Sequence, residues 1–520
     1  MSSEGKLKKE IGLFTLLSIG VGGIIGSGIF ILPANMAALA GPGLLLAILI
    51  SGLITTFLAL SYAELGAAFP LTGGPFSLPR LALGDLGGFI MGWGYFLYLF
   101  VGTAAIIDIF VVYLGFYVPG LSVGTTLTPL GIAIALVAVW VFTFINIFGV
   151  KWGGIYSVVT TVGKLIPLLL FCIMGFVVID GHNFTPFVPF GLTGVTLAST
   201  LFFWSFTGFE AIVVPSEEVK NPAKTIPWAM ILTMVITIVT YLIVATAFLG
   251  MIDWKGLGIE EFSWDKIGQI GSPLAKVALS STALKMGWLA AIVAIGAIIA
   301  TGGSGGTWIL IQGRMPFAMA QEGLFWSKVG KINKFGTPAF SLIFTSVLTS
   351  IIIILIPHFV SVSLIASITA IVPYSAAVLA VPILRKTKKD VPRPFKLPFH
   401  RAFTLIGFIL STWLIYWASW PWTLVGTVLI FLGFPVFLLV RTKNLELKRN
   451  FWIIIYLIGI VVVSFIGDSH FVVDNFTPWN PLGILKMPYD LVVLALFATV
   501  IFLWSYRLNI KQKSLTKNDG

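Results

Sequence analysis

Three ionisable residues, Asp108, Lys164 and Glu210, fall inside long apolar stretches of this chain, where a charge is costly and marks function by default. Two further features lie at comparable depth. Gly26-Ser27-Gly28 interrupts the apolar run from Ile11 to Ala40, and Trp204-Ser205-Phe206-Thr207-Gly208-Phe209 interrupts another just before Glu210. Paired glycines and hydroxyl residues predict places where a helix unwinds and exposes backbone N–H and C=O groups. Backbone that opens at membrane depth must line a cavity, because lipid offers its polar groups no partner. The expected chemistry is therefore recognition by main chain, combined with titration of a few buried side chains.

Composition sets the solvent in which those residues work. Hydrophobic residues make up 58% of the 520 residues and charged residues only 10%, with a mean hydropathy of +1.02, so most of the chain expects lipid. One cysteine, Cys172, excludes an internal disulfide, and four scattered histidines have no ligand spacing. No metal or cofactor is expected. The net charge of +12 comes from short basic segments between apolar runs, a pattern of membrane topology rather than of a nucleic-acid surface. Lys6, Lys8 and Lys9 precede an apolar run as in a signal peptide, but that run is too long and is interrupted, so the first span is expected to be retained.

The elements that position the candidates are membrane spans, and the chain reads as an all-α polytopic protein. Fourteen apolar stretches qualify, at approximately 12–40, 43–69, 86–118, 127–148, 154–179, 193–217, 225–251, 286–313, 338–356, 360–384, 402–420, 422–440, 451–467 and 488–506. With the N-terminus inside, 26 of the 32 Lys and Arg residues fall on the cytoplasmic side, five fall outside and Lys164 lies within a span. That asymmetry supports the register and places both termini in the cytoplasm of a cell whose plasma membrane the chain crosses. The register depends on Ser419-Trp420-Pro421-Trp422 forming a tight external turn. Met251 to Lys285 is expected to be an amphipathic surface element, and the tail after Arg507 a polar, disordered segment. The expected organisation is an N-terminal segment 1–10, a transport core 11–384, a basic loop 385–401, two helices over 402–440, two more over 441–506 and the tail 507–520.

Interruptions in spans 1 and 6, five spans apart, are the pattern of inverted repeats, here about 11–180 and 193–384, whose first helices break at one midplane site. A single break is better explained by close helix packing, and it is the pair at corresponding positions that points to a site. The motifs are more specific. "GxIIGSGIFILPANMA" in span 1, "SYAELGAAFPLTGG" at the end of span 2, "WSFTGFEAIVVPSEEVKNP" in span 6 and "GRMPFAMAQEGLFWSKVGKINKFGTP" after span 8 resemble the amino acid–polyamine–organocation (APC) transporters. The resemblance covers roughly residues 10 to 440. It implies a five-plus-five inverted-repeat fold with broken helices 1 and 6, working by alternating access. The last two spans exceed the usual twelve.

For the substrate, the resemblance implies an amino acid, and the physics of the breaks agrees. Amides around Gly26, Ser27 and Gly28 can donate to a carboxylate, helped by the positive end of the half-helix starting near Ile29. Carbonyls freed beside Gly208, near Phe203, Trp204 and Thr207, can accept from an ammonium group. Trp204 resembles the gating aromatic of the family's arginine/agmatine antiporters, and Trp308 a tryptophan that lines their side-chain pocket. Glu210 resembles their proton-responsive glutamate. Lys164 lies about ten residues, or roughly 15 Å, into span 5, too deep to snorkel easily. It resembles the lysine that occupies the sodium-like site in proton-coupled members. Asp108 has three open readings: recognition of a cationic side chain, pairing with Lys164, or satisfaction of a backbone donor. Glu64, Glu217 and Glu218 lie near the cytoplasmic face, where solvation explains them, although Glu64 can also serve a gate.

These residues predict a secondary active amino acid transporter, coupled to protons as a symporter, with an amino acid/amine antiporter as the alternative. No GxxxxGK[ST] motif suggests ATP drive, no ring of charges suggests a channel, and no nucleophile–base or metal-ligand constellation suggests an enzyme.

Overall fold

The computed structural model describes residues 11–71, 74–148, 153–282, 286–440, 446–467 and 480–515, with the side chains of 153–162 and 511–515 left aside. The N-terminal segment 1–10, Lys151, Lys285, the start of the loop carrying Arg441 and the end of the tail lie outside the described residues. The first apolar run is two helices, α1 (Leu13–Ile24) and α2 (Gly28–Ala40). A 3-10 turn, Gly41–Gly43, leads into α3 (Leu44–Ala68), followed by α4 (Gly74–Leu114). A small hairpin, β1 (Ser122–Val123) against β2 (Thr126–Leu127), precedes α5 (Pro129–Ile147) and α6 (Gly153–Val177). Next come α7 (Gly191–Phe206), α8 (Pro222–Gly250), the short α9 (Trp264–Ile267) and α10 (Pro273–Ser280), and α11 (Gly287–Gln321). The chain continues through α12 (Ala339–Leu355), α13 (Phe359–Thr387), α14 (His400–Trp417), α15 (Trp422–Phe431), α16 (Gly433–Val440), α17 (Leu447–Ile466) and α18 (Tyr489–Leu515).

Ten helical stretches among the described residues are long and apolar enough to cross a membrane, and three shorter apolar helices accompany them. The difference from fourteen has local causes. The interruption of the first run leaves α1 only 12 residues long, and α2 continues through the Gly41–Gly43 turn into α3 with little break. The helix α12 stops at 17 residues, and α14 begins with His400 and Arg401. The helix pair α14 and α15 is separated at Ala418–Pro421, where the turn was expected.

Burial follows composition. The most apolar stretch of α13 is entirely buried and that of α4 almost so, as expected for helices that are hydrophobic all round, whereas α5 and α18 bury about a third of theirs and face outward. The helix α13 packs along α4, which in turn packs on α11. Around this scaffold, α1 lies on α8, α2 on α7, and α3 on both α7 and α8. The segment expected to be an amphipathic surface element has one buried face: Trp264, Ile267, Leu274 and Val277 are buried, α9 packs on α2, and α10 packs on α11. Its charged residues Lys255, Glu260, Glu261, Asp265, Lys266 and Lys276 are exposed.

The last two helices have a defined contact. Gly84 divides α4 with φ 79° and ψ −169°, so Ala82 and Leu83 lose helical partners for their carbonyls and Asp85 loses one for its amide. The N-terminal turn of α17 supplies them. Glu446 Oε2 accepts from the Asp85 N–H at 3.0 Å, Asn450 Nδ2 donates to the Leu83 carbonyl at 3.1 Å, and Arg449 donates to the Ala82 carbonyl. Arg449 also reaches Asn509 of α18 at 2.6 Å. A Cβ at Gly84 would press on both the Glu446 carboxylate and the Arg449 guanidinium. Gly84→Ala should therefore cost about 1–3 kcal/mol of stability through strain and clash, read as a lower thermal midpoint in detergent. Gly181→Ala, where a Cβ meets nothing within 4 Å, is the control and should leave the midpoint in place.

Candidate functional site

The first interruption lies at Ile25–Ser27: α1 ends with Ile24, and Gly28 opens α2. The second begins after Phe206, where Gly208 adopts φ 111° and ends helical geometry. The α-helix does not resume there. Instead 3-10 turns at Phe209–Ile212 and Ser216–Glu218 carry the chain onward. Pro215 disfavours helical geometry at Val214, and β-branched Ile212, Val213 and Val214 add to that bias.

The two interruptions touch through their main chains. A Cβ on Gly208 would fall 2.6 Å from the Gly23 carbonyl oxygen, so only glycine permits this approach. Tyr241 of α8 places its hydroxyl 2.8 Å from the carbonyls of both Ile24 and Ser205, the last turns of α1 and α7. Its single proton serves one carbonyl at a time. Lys164 of α6 completes this set. Its Nζ donates to the Gly22 carbonyl at 2.9 Å and the Ile25 carbonyl at 2.6 Å, and the residue is only 7% exposed. An ammonium thus occupies the carbonyl-lined position at the end of α1. A cavity of about 260 Å³ adjoins it, lined in part by Leu17, Val21, Gly22, Ile25 and Ile236.

The carbonyls expected to receive a substrate ammonium are partly engaged. The Trp204 carbonyl accepts from the Thr207 N–H at 3.2 Å and from the Thr207 hydroxyl at 2.5 Å, and the Ser205 carbonyl accepts from Tyr241. Phe203 is buried in the same last turn of α7. Gly28 and Trp204 are in contact, a Cβ on Gly28 falling 3.1 Å from the indole Cζ3. The Trp204 ring also packs edge-on against Phe359, with centroids 5.7 Å apart. Trp308 of α11 faces Tyr98 at 5.2 Å and meets Gly102 of α4 beside Trp204. Gly26, Ser27, Gly28, Trp204, Ser205 and Trp308 are therefore one neighbourhood.

Glu210 sits on the other side of the second break, 3% exposed. Its carboxylate accepts from the Tyr95 hydroxyl and from the Gly208 N–H, each at 3.0 Å, with Tyr374 adjoining. Tyr374 packs against Tyr62, Phe203 and Phe209, forming an aromatic layer between the breaks and the basic end of the helices. Asp108 is fully buried, and neither carboxylate oxygen has a hydrogen-bond partner. Six residues beyond Gly102, it lies about 9 Å further along α4 and roughly 120° around it, away from the tryptophans.

Solvation does not account for Glu64, contrary to expectation. It is 0% exposed, with Arg385 Nε and Nη2 donating to it at 2.7 and 2.6 Å and the Leu397 N–H at 2.8 Å. Arg393, stacked over Phe69, stands 3.5 Å away. This ties the end of α3 to the end of α13. Nothing local in the sequence marks Tyr95, Tyr374, Tyr241, Gly23 or Arg385 as partners, since each meets its counterpart across a long separation. Tyr241→Phe should cost about 1–3 kcal/mol, because a buried carbonyl then goes unsatisfied; the check is a lowered thermal midpoint in detergent.

The chain matches the amino acid permease family model over residues 11–463. It is 27% identical to the glutamate/serine transporter AimA of Bacillus subtilis (strain 168) over 96% of this chain and 94% of that protein. It is 28% identical to the aspartate-proton symporter of the same organism, over 97% of each, and 30% identical to its branched-chain amino acid permease BcaP, over 83% of this chain and 94% of the relative. A family match across most of the chain, joined to a multi-pass helical architecture, places the protein in membranes as a member of the amino acid permease family.

Proposed function

We propose that this permease is a secondary active transporter that moves an amino acid together with a proton by alternating access. The observation that carries the reading is the Lys164 ammonium, held between the Gly22 and Ile25 carbonyls at the end of α1. When charged, it binds α1 to α6 by two charge-assisted hydrogen bonds; on losing its proton it keeps only weak donors and α1 is released. Protonation and the position of α1 are thereby linked, which is what coupling requires. The relative named as an aspartate-proton symporter supports this.

In this reading the chain crosses the plasma membrane fourteen times with both termini cytoplasmic, and two inverted repeats meet at the breaks. Amides opening α2, from Gly26 to Gly28 onward, take the substrate carboxylate. Carbonyls ending α7, near Phe203 and Trp204, take the ammonium once Thr207 and Tyr241 yield. Trp204 closes over the substrate, Trp308 borders its side chain, and Glu210 with Tyr95 and Tyr374 bars the route to the cytoplasm. Asp108 lies on another face of α4, about 9 Å along the helix from Gly102.

The test is uptake into proteoliposomes under an imposed pH gradient. Wild type should accumulate substrate when the outside is acidic, and Lys164→Ala should still bind it but lose at least about tenfold of the gradient-driven component. Uptake that needs internal amino acid and ignores the gradient would establish the antiporter instead. Unchanged proton dependence in Lys164→Ala would remove the lysine from the mechanism.

A further inference from the structure

The side chain of the substrate is not read by the breaks themselves, and the walls around them restrict what it can be. Gly28, Gly102 and Ser205 face one another across Trp204. A Cβ on Gly102 would lie 2.7 Å from Trp308 Cζ3 and 3.5 Å from Trp204 Nε1, while one on Gly28 would run into the Ser205 hydroxyl. Two polar atoms directed into this recess have no hydrogen-bond partner: Trp204 Nε1 and Ser205 Oγ, on residues 4% and 5% exposed. Buried donors without acceptors are costly unless a ligand satisfies them.

Among the described residues, the recess has no free charge. Lys164 is spent on the Gly22 and Ile25 carbonyls, so a carboxylate side chain finds no cation there. The Glu210 carboxylate is engaged by Tyr95 and the Gly208 N–H, and Asp108 lies about 9 Å further along α4 on another face, so an ammonium or guanidinium side chain finds no free anion. His358, next to the Phe359 that packs on Trp204, engages Ser361 at 2.8 Å. A charged side chain buried here would go unpaired, which costs far more than a buried hydroxyl that can pair with Ser205.

From this we infer that the permease takes small, uncharged amino acids, with Gly102 setting the upper size and Ser205 and Trp204 Nε1 supplying polar contacts to the substrate. This rests on the transport reading and narrows it. Trp308 packs directly on Gly102 and the Ser205 hydroxyl on Gly28, so any side chain enters by displacing these groups, and a larger one must displace Trp308 further.

The experiment is equilibrium binding to the purified full-length protein in lipid nanodiscs, using glycine, alanine, serine, valine, leucine, glutamate and lysine as probes. Alanine and serine should bind at least about tenfold more tightly than leucine, glutamate or lysine. Gly102→Ala should weaken valine by about tenfold or more relative to glycine, the worth of a methyl group in a close-fitting pocket. Trp308→Leu, which enlarges the same recess, should admit leucine and so covers the case in which Gly102→Ala fails to fold. Ser205→Ala should weaken serine more than alanine. Glutamate or lysine binding as tightly as alanine in wild type overturns the inference and leaves the transport reading standing, as does an order of preference unchanged in both Gly102→Ala and Trp308→Leu. Binding of no amino acid overturns the transport reading itself.

Discussion

Main-chain polar groups that leave a helix inside a membrane must find partners within the protein, and the arrangement at the two breaks is governed by that demand. Ending α1 at Ile24 and α7 at Phe206 frees carbonyls in a region where water is scarce. They are met from outside their own helices: by an ammonium on α6, by a phenolic hydroxyl on α8, and by the threonine that follows the second break. The Gly23–Gly208 contact exists because such partners can serve both breaks only if the two main chains come together. A helix interruption in lipid is thus a demand on other elements, here α6 and α8, and it fixes where those elements sit.

The charges are distributed in the same spirit. Glu64 with Arg385 and Arg393, and Arg80 with Glu322, join segments far apart in sequence, while Arg80–Asp85 and Glu446–Arg449 are local pairs. Toward the middle, Glu210 and Lys164 are held by neutral dipoles instead of opposite charges. An ion pair is costly to break once buried, whereas dipoles let a group change its protonation without stranding a partner. Rigid fastening at the end and titratable contacts in the middle suit the proposed alternating-access motion.

What was legible in the sequence divides along the range of the interaction. The membrane class, the family and the positions of both interruptions follow from local composition and short motifs, and Lys164 and Glu210 stand out because charges at that depth are rare. Continuation of span 6 as a helix was less legible, because Pro215 and the preceding β-branched run outweigh its apolar character. The segment between Met251 and Lys285 shows an amphipathic pattern, which does not reveal that its apolar face lies down upon α2 and α11. Tyr95, Tyr241 and Tyr374 look like ordinary span aromatics until folding brings each to its acceptor. Solvation was the natural reading of Glu64, and the two arginines that replace water there lie more than 300 residues away.

The knee in α4 carries a consequence for how the polypeptide is made. The groups that complete its hydrogen bonding, Glu446, Arg449 and Asn450, come 361 and 367 residues after the positions they serve. The third span therefore enters the bilayer with Ala82, Leu83 and Asp85 awaiting partners that have not been synthesised. Insertion and consolidation are separate events for this segment, and the second must wait until α17 has left the ribosome.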